Sequence, residues 1–365
     1  ASGWVVSIGD SYISGEGARW GANTAGPARR VDALGPAAYF NRRGQESHPG
    51  CHRARSTLVS LDLPGLRGKN LACSGARTRS DSSQLRFRPG VDFARAADGS
   101  GVGQARALQQ FAADHRVATV VVSIGGNDFG FGALAAACVS GFLSSTPGTE
   151  RRCSVNPTVT EKVDRTAQQR VRRAVTAALN RVIAAMSAAG YAATDYRRVV
   201  LTYPSPVPPG KALRYGNADR EVRGGCPLFA ADATWANRVA LARINGTVVS
   251  AAAAASEPFS ILDVSRAFDG HRLCERGTSP LSDTSLRSWD SPGAVDRVAW
   301  VNQVYFTVAP QQIQESLHPG YWGMSAERQC LRLLLTRATK PAYRCVGAGP
   351  GLADGDPRMV LRASR

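Results

Sequence analysis

Trp4-Val5-Val6-Ser7-Ile8-Gly9-Asp10-Ser11-Tyr12 decides how the rest of the chain is read. The run from Trp4 to Ile8 is short and mostly apolar, as suits a strand buried on both faces of a parallel sheet. Gly9 and Asp10 end it, since both are turn formers. Ser11 is thereby expected at the carboxyl end of a buried strand, the edge of an open α/β sheet where ligands bind.

Similar short runs recur at Asn70–Cys73, Thr119–Ile124, Arg198–Tyr203 and Ser260–Val264. Between them lie helical patterns. From Thr160 to Ala189, residues Val163, Ala167, Val171, Val175, Leu179, Val182 and Met186 recur every three or four positions, with arginines opposite. Thr158 with Glu161 reads as a capping box and Gly190 as a stop. A second helix is expected over Trp235–Ala254 and a last one around Ser325–Leu335. Strands alternating with helices give an α/β fold with three layers and a central parallel sheet of about five strands. No repeat or linker divides residues 1–365, so one domain is expected, with long loop insertions near 204–231 and 275–295 shaping the mouth of a cleft.

The chain has 365 residues, 43% hydrophobic and 20% charged, which is enough to bury a full core. Its apolar runs are too short for a membrane helix. It enters its first strand without a leader pattern, so a mature chain whose export signal has been removed is expected. Eight cysteines with no CxxC pair favour disulfides in an oxidising compartment over zinc. The least entangled pairing joins sequence neighbours: Cys51 with Cys73, Cys138 with Cys153, Cys226 with Cys274, Cys330 with Cys345. The net charge of +17 would draw the surface to anionic interfaces. Its basic residues are scattered, which argues against a specific nucleic-acid groove and is equally what an arginine-rich composition would produce.

Four segments carry candidate chemistry. Gly9-Asp10-Ser11-Tyr12-Ile13-Ser14-Gly15-Glu16-Gly17 neither completes GxGxxG nor holds the Lys-Ser/Thr pair of a phosphate loop. Ala72-Cys73-Ser74-Gly75-Ala76 and Ser123-Ile124-Gly125-Gly126-Asn127-Asp128-Phe129-Gly130 follow two further strands. Their glycines let backbone amides approach a substrate closely, and an asparagine is a donor that does not titrate. Glu315-Ser316-Leu317-His318-Pro319 sets a carboxylate three residues before a histidine.

Together these segments resemble blocks I, II, III and V of the SGNH, or GDSL, hydrolase superfamily, in the family's order from Gly9 to His318. The resemblance implies a flavodoxin-like fold, Ser11 as nucleophile and His318 as its general base. It also implies an oxyanion hole from the Ser11 and Gly75 amides and the Asn127 side chain, with no metal and no cofactor. The family usually has Asp where Glu315 stands. Glu315 is expected to orient His318, a main-chain carbonyl near Ser316 being the alternative.

Among the other histidines, His271 beside Cys274 is read as structural, and His48 and His52 as surface residues flanking Cys51. Asp10 and Asp128 read as turn-stiffening carboxylates rather than the acid pair of a glycosidase. The expected function is that of a secreted, extracellular serine esterase, monomeric, hydrolysing lipid or phospholipid acyl esters and touching anionic lipid interfaces. The Cys51–Ser56 and Ala72–Ala76 segments are similar to those of actinobacterial phospholipases and lipases. Carbohydrate, feruloyl or aryl esterase activity is the alternative within the fold, and a non-catalytic cationic binding module the alternative outside it.

Overall fold

Strand β1 (Gly3–Gly9) lies between β2 (Leu66–Asn70) and β3 (Val117–Ser123), with β4 (Arg197–Leu201) and β5 (Ser260–Asp263) beyond. The computed structural model describes residues 3–83, 86–146, 148–306, 310–337 and 340–364. The order 2-1-3-4-5, all parallel, is the doubly wound, flavodoxin-like arrangement. Its winding reverses beside β1, so the connections leaving β1 and β3 diverge and open a crevice at their carboxyl ends.

Among the described residues the sheet has seven strands rather than about five. β6 (Ala342–Ala353) adds in parallel to β5, and β7 (Asp356–Ala363) pairs antiparallel with β6. Gly347, Gly349, Pro350 and Gly351 give this hairpin the composition of a loop, and both strands are largely exposed. β2 also differs, ending at Asn70 where the expected strand begins. The apolar Leu71-Ala72-Cys73 run is a buried turn instead, with Leu71 and Cys73 amides donating to the carbonyls of Ser7 and Gly9.

The long helix runs Arg165–Ala188, its start set by Asp164, whose carboxylate accepts the Ala167 amide at 2.7 Å. Thr158 and Glu161 do not start it. Thr158 belongs to a separate turn, Pro157–Thr160, capped by Asn156, and Glu161 opens the next, Glu161–Val163. The expected apolar stripe is buried, and this helix packs against Gln104–Asp114 and Leu241–Ala253. The second helical region is broken in kind: an α-turn Ala230–Trp235, a π-turn Ala236–Ala240, then the helix from Leu241. The last helix, Tyr321–Arg337, begins one turn before the expected start and packs on the side of the β1–β2 connection, where Arg328 reaches Ser56 and Thr57. No described helix is long and apolar enough to cross a membrane.

All eight cysteines are paired between sequence neighbours, as expected. Cys226–Cys274 ties the 204–231 insertion to the segment preceding 275–295. These insertions are packed rather than loose, with Leu213, Leu228 and Leu281 buried.

The last helix is locked to the hairpin by Asp356, 2% exposed, which faces Arg328 and, at 3.0 Å, Arg332. Removing one partner of a buried ion pair strands the other. Asp356→Ala is therefore expected to lower unfolding free energy by about 3–5 kcal/mol. Guanidinium unfolding with the disulfides intact tests this, and an unchanged midpoint would contradict it.

Candidate active site

Gly9 has φ +144°, and a Cβ there would fall 1.8 Å from the Ser123 carbonyl oxygen, so the close approach of β1 to the end of β3 admits glycine alone. Gln104 clamps this residue with both ends of its amide, accepting from Gly9 N at 2.8 Å and donating to Gly9 O at 2.9 Å. Asp10 then caps the short helix Ser11–Ser14 by accepting the Tyr12 amide at 3.1 Å. Its other oxygen accepts the Tyr203 hydroxyl, which itself accepts the Gly126 amide. Burial dominates over these donors and pushes the Asp10 carboxyl up to about 7.

Ser11 Oγ lies 2.7 Å from His318 Nε2, bringing together groups 307 residues apart. His318 Nδ1 lies 3.0 Å from the Ser316 carbonyl oxygen. A carbonyl can only accept, so Nδ1 carries the proton and the Nε2 lone pair is left to accept from the serine hydroxyl. Leu317, between them, has φ +62°, a left-handed turn that folds the Ser316 carbonyl back beneath its neighbour's ring. The Tyr12 hydroxyl donates to Leu317 O at 2.9 Å, and the Asn302 amide donates to His318 O at 2.9 Å. Burial of the imidazole holds its pKa below the ordinary histidine value.

Glu315 does not orient His318. Its carboxylate accepts Trp20 Nε1 at 2.6 Å and the Tyr39 hydroxyl, while its own carbonyl accepts the His318 amide. The extra methylene and these two donors carry the carboxylate into the protein, where burial raises its pKa. It anchors the loop that carries His318 from behind, and the Ser316 carbonyl makes the contact with the ring.

Among the described residues, the Ser11 and Gly75 amides donate to no protein group. The neighbouring Ser74 and Ala76 amides are engaged, with Cys51 O and Cys73 O. Asn127 Nδ2 donates to Ala76 O at 2.9 Å, which joins the turn after β3 to the turn after β2 and leaves the second amide hydrogen available. Asp128 stiffens the same pair of turns by accepting the Thr78 amide and hydroxyl.

His52 is not a surface residue. It is 5% exposed, stacked on Tyr39, with Nδ1 2.8 Å from Glu16 and Nε2 3.6 Å from Glu46. Burial works against its imidazolium, but the Glu16 carboxylate outweighs it and the pKa is raised. His48 is half-buried, with Nε2 2.7 Å from Phe87 O. His271 stacks on Trp300, as a packing residue would. No group of three or more His, Cys, Asp or Glu among the described residues converges as metal ligands do. Tyr203, Gln104, Trp20, Tyr39 and Glu16 support the site without any local sequence signal.

An apolar slot lined by Tyr12, Phe131, Leu241 and Ile244 opens beside Ser11. It adjoins a cavity of about 60 Å³ between Leu134, Val207, Trp235 and Leu317.

No family model matches the chain, and no curated protein does. Solved structures do. An extracellular lipase from Streptomyces rimosus is 20% identical, with a TM-score of 0.48 over 91% of this chain and 99% of that one. A phospholipase A1 from Streptomyces albidoflavus is 20% identical, with a TM-score of 0.47 over 93% and 100%. A carbohydrate acetylesterase from Sinorhizobium meliloti is 11% identical, with a TM-score of 0.31 over 91% and 100%. Similarity at this level leaves the chemistry to be argued from the chain's own residues.

The opposite pKa directions of the two buried histidines can be read in solution. In a proton NMR titration, His318 is expected to titrate below about 6.5 and His52 above it. The reverse order would mean that the charges around them are misassigned.

Proposed function

We propose that this chain is a serine ester hydrolase of the SGNH superfamily, acting through an acyl-enzyme on Ser11, with lipid acyl esters as substrates. The contact that carries the reading is Ser11 Oγ to His318 Nε2 at 2.7 Å, with the imidazole already in the tautomer a base requires. A serine hydroxyl is a weak nucleophile until a base takes its proton. His318 removes it as Oγ attacks the ester carbonyl, and the charge moves to the carbonyl oxygen. The free amides of Ser11 and Gly75 and the second hydrogen of Asn127 Nδ2 are the donors for that oxyanion, each worth about 3 kcal/mol of barrier. The tetrahedral intermediate collapses, the alcohol leaves with the proton from His318, and water repeats the sequence on the acyl-enzyme.

The apolar lining beside Ser11, a narrow slot of about 10 Å³ adjoining the cavity of about 60 Å³, supports an acyl group of apolar character, and the net charge of +17 supports work at anionic lipid interfaces. The four disulfides support an exported enzyme.

A chromogenic short-chain ester tests the chemistry. Ser11→Ala and His318→Ala should each lose at least about 10⁴-fold in kcat. Glu315→Gln should lose far less than His318→Ala, since the Ser316 carbonyl still holds the ring. Equal, negligible rates in wild type and Ser11→Ala would instead favour a binding protein. Fatty-acid release from phosphatidylcholine, lysophosphatidylcholine and triglyceride tests the substrate class. Cleavage of only the soluble ester would remove the lipid assignment. Because the neutral imidazole is the base, kcat/KM should be present above the His318 pKa and lost below it. The acid limb should therefore have its midpoint below about 6.5, the ordinary histidine value.

A further inference from the structure

The turn after β2 contains one peptide unit with an unusual pair of ends. At its amide end, Gly75 N–H has no acceptor among the described residues. At its carbonyl end, Ser74 O accepts a hydrogen bond from the Arg88 guanidinium. In a trans peptide the C=O and N–H point in opposite directions, so the cation sits directly behind the donor. The fit is close: a Cβ on Gly75, whose φ is +72°, would meet Arg88 Nη1 at 2.7 Å. Arg88 is itself held in place, its backbone exchanging hydrogen bonds of 2.8 and 3.0 Å with Asp81.

We propose that Arg88 is a positioning residue for the oxyanion site, fixing and polarising the Ser74–Gly75 peptide so that the Gly75 amide is a stronger donor. The proposal rests on the ester-hydrolase reading. A charged donor on the carbonyl draws electron density through the amide, and hydrogen bonds in such a chain strengthen one another. It also prevents the peptide from flipping when no substrate is bound. Arg77 and Arg79 line the same small depression as Gly75, Asp81 and Arg88, yet neither donates to Ser74 O. They contribute only a diffuse positive field, whereas Arg88 touches the Ser74–Gly75 peptide itself.

Losing a whole oxyanion donor costs about 10²–10³ in kcat, so weakening one of three donors is expected to cost about tenfold. The test compares wild type, Arg88→Gln, Arg88→Lys and Arg79→Gln on a neutral chromogenic ester. A parallel arm follows the hemiketal that a trifluoromethyl ketone forms with Ser11, by ¹⁹F NMR against pH. In Arg88→Gln, kcat should fall about tenfold with KM nearly unchanged, and the hemiketal should ionise about one pH unit higher, the same tenfold expressed as an acidity. Arg88→Lys should recover part of both, and Arg79→Gln should match wild type. Unchanged kcat and ionisation in Arg88→Gln would overturn the proposal. So would equal losses in Arg79→Gln, which would assign the effect to bulk charge, or a raised KM and lowered Tm with unshifted ionisation, which would make Arg88 merely structural. If wild type forms no adduct and Ser11→Ala keeps its rate, the hydrolase reading itself falls, an outcome distinct from those.

Discussion

The hydrogen bond from His318 Nδ1 to the Ser316 carbonyl constrains everything around the candidate nucleophile. An acceptor that can never donate selects one tautomer without a buried charge behind the imidazole. A carboxylate in that place would favour the imidazolium more strongly, but it would have to be desolvated beside an already buried ring. The cost is moved into backbone geometry. Leu317 must hold a left-handed conformation, and the loop must be braced so that it does not relax. Tyr12 and Asn302 brace it from other parts of the chain, and Glu315, within the loop, is itself held by Trp20 and Tyr39.

The other half of the site depends on close backbone contact at the reversal of strand order. Gly9 packs on the end of β3, Gln104 holds Gly9, and Asp10 links through Tyr203 to Gly126. The turns after β1, β2 and β3 are thus connected by short polar links whose members are mostly buried. Such a network is rigid only when its members are paired, and among the described residues the amides of Ser11 and Gly75 are left over, as the proposed oxyanion role requires.

Much of this was legible in the chain. Strands β1, β3 and β4 announced themselves because both their faces are buried, giving continuous apolar runs, whereas the half-buried β5 showed only through Ile261, Leu262 and Val264. β2 was displaced because Arg67, Gly68 and Lys69 lie on a sheet edge, while the apolar signal next to it belongs to a buried turn. The β6–β7 hairpin was missed because its exposed glycines and proline carry no alternation to read. In the site, Ser11, Gly75, Asn127 and His318 could be singled out because the four segments that hold them resemble blocks of the SGNH superfamily in the family's order. The direction of the Glu315 side chain could not, since Trp20 and Tyr39 compete for it from almost three hundred residues away. Nor could the burial of His52, whose partner Glu16 is distant in sequence and unremarkable in composition.

The Cys51–Cys73 bridge has a reach beyond stability. Cys73 begins the turn that presents Gly75, its amide bound to Gly9 O, and the Ser74 amide is bound to Cys51 O. The covalent link and the Ser74 hydrogen bond therefore close one small ring, and the Gly75 amide is the next along the chain. With the thiols reduced, hydrogen bonds alone would hold this turn against Cys51 and Gly9. The placement of the Gly75 amide is in this sense tied to the redox state of the surroundings.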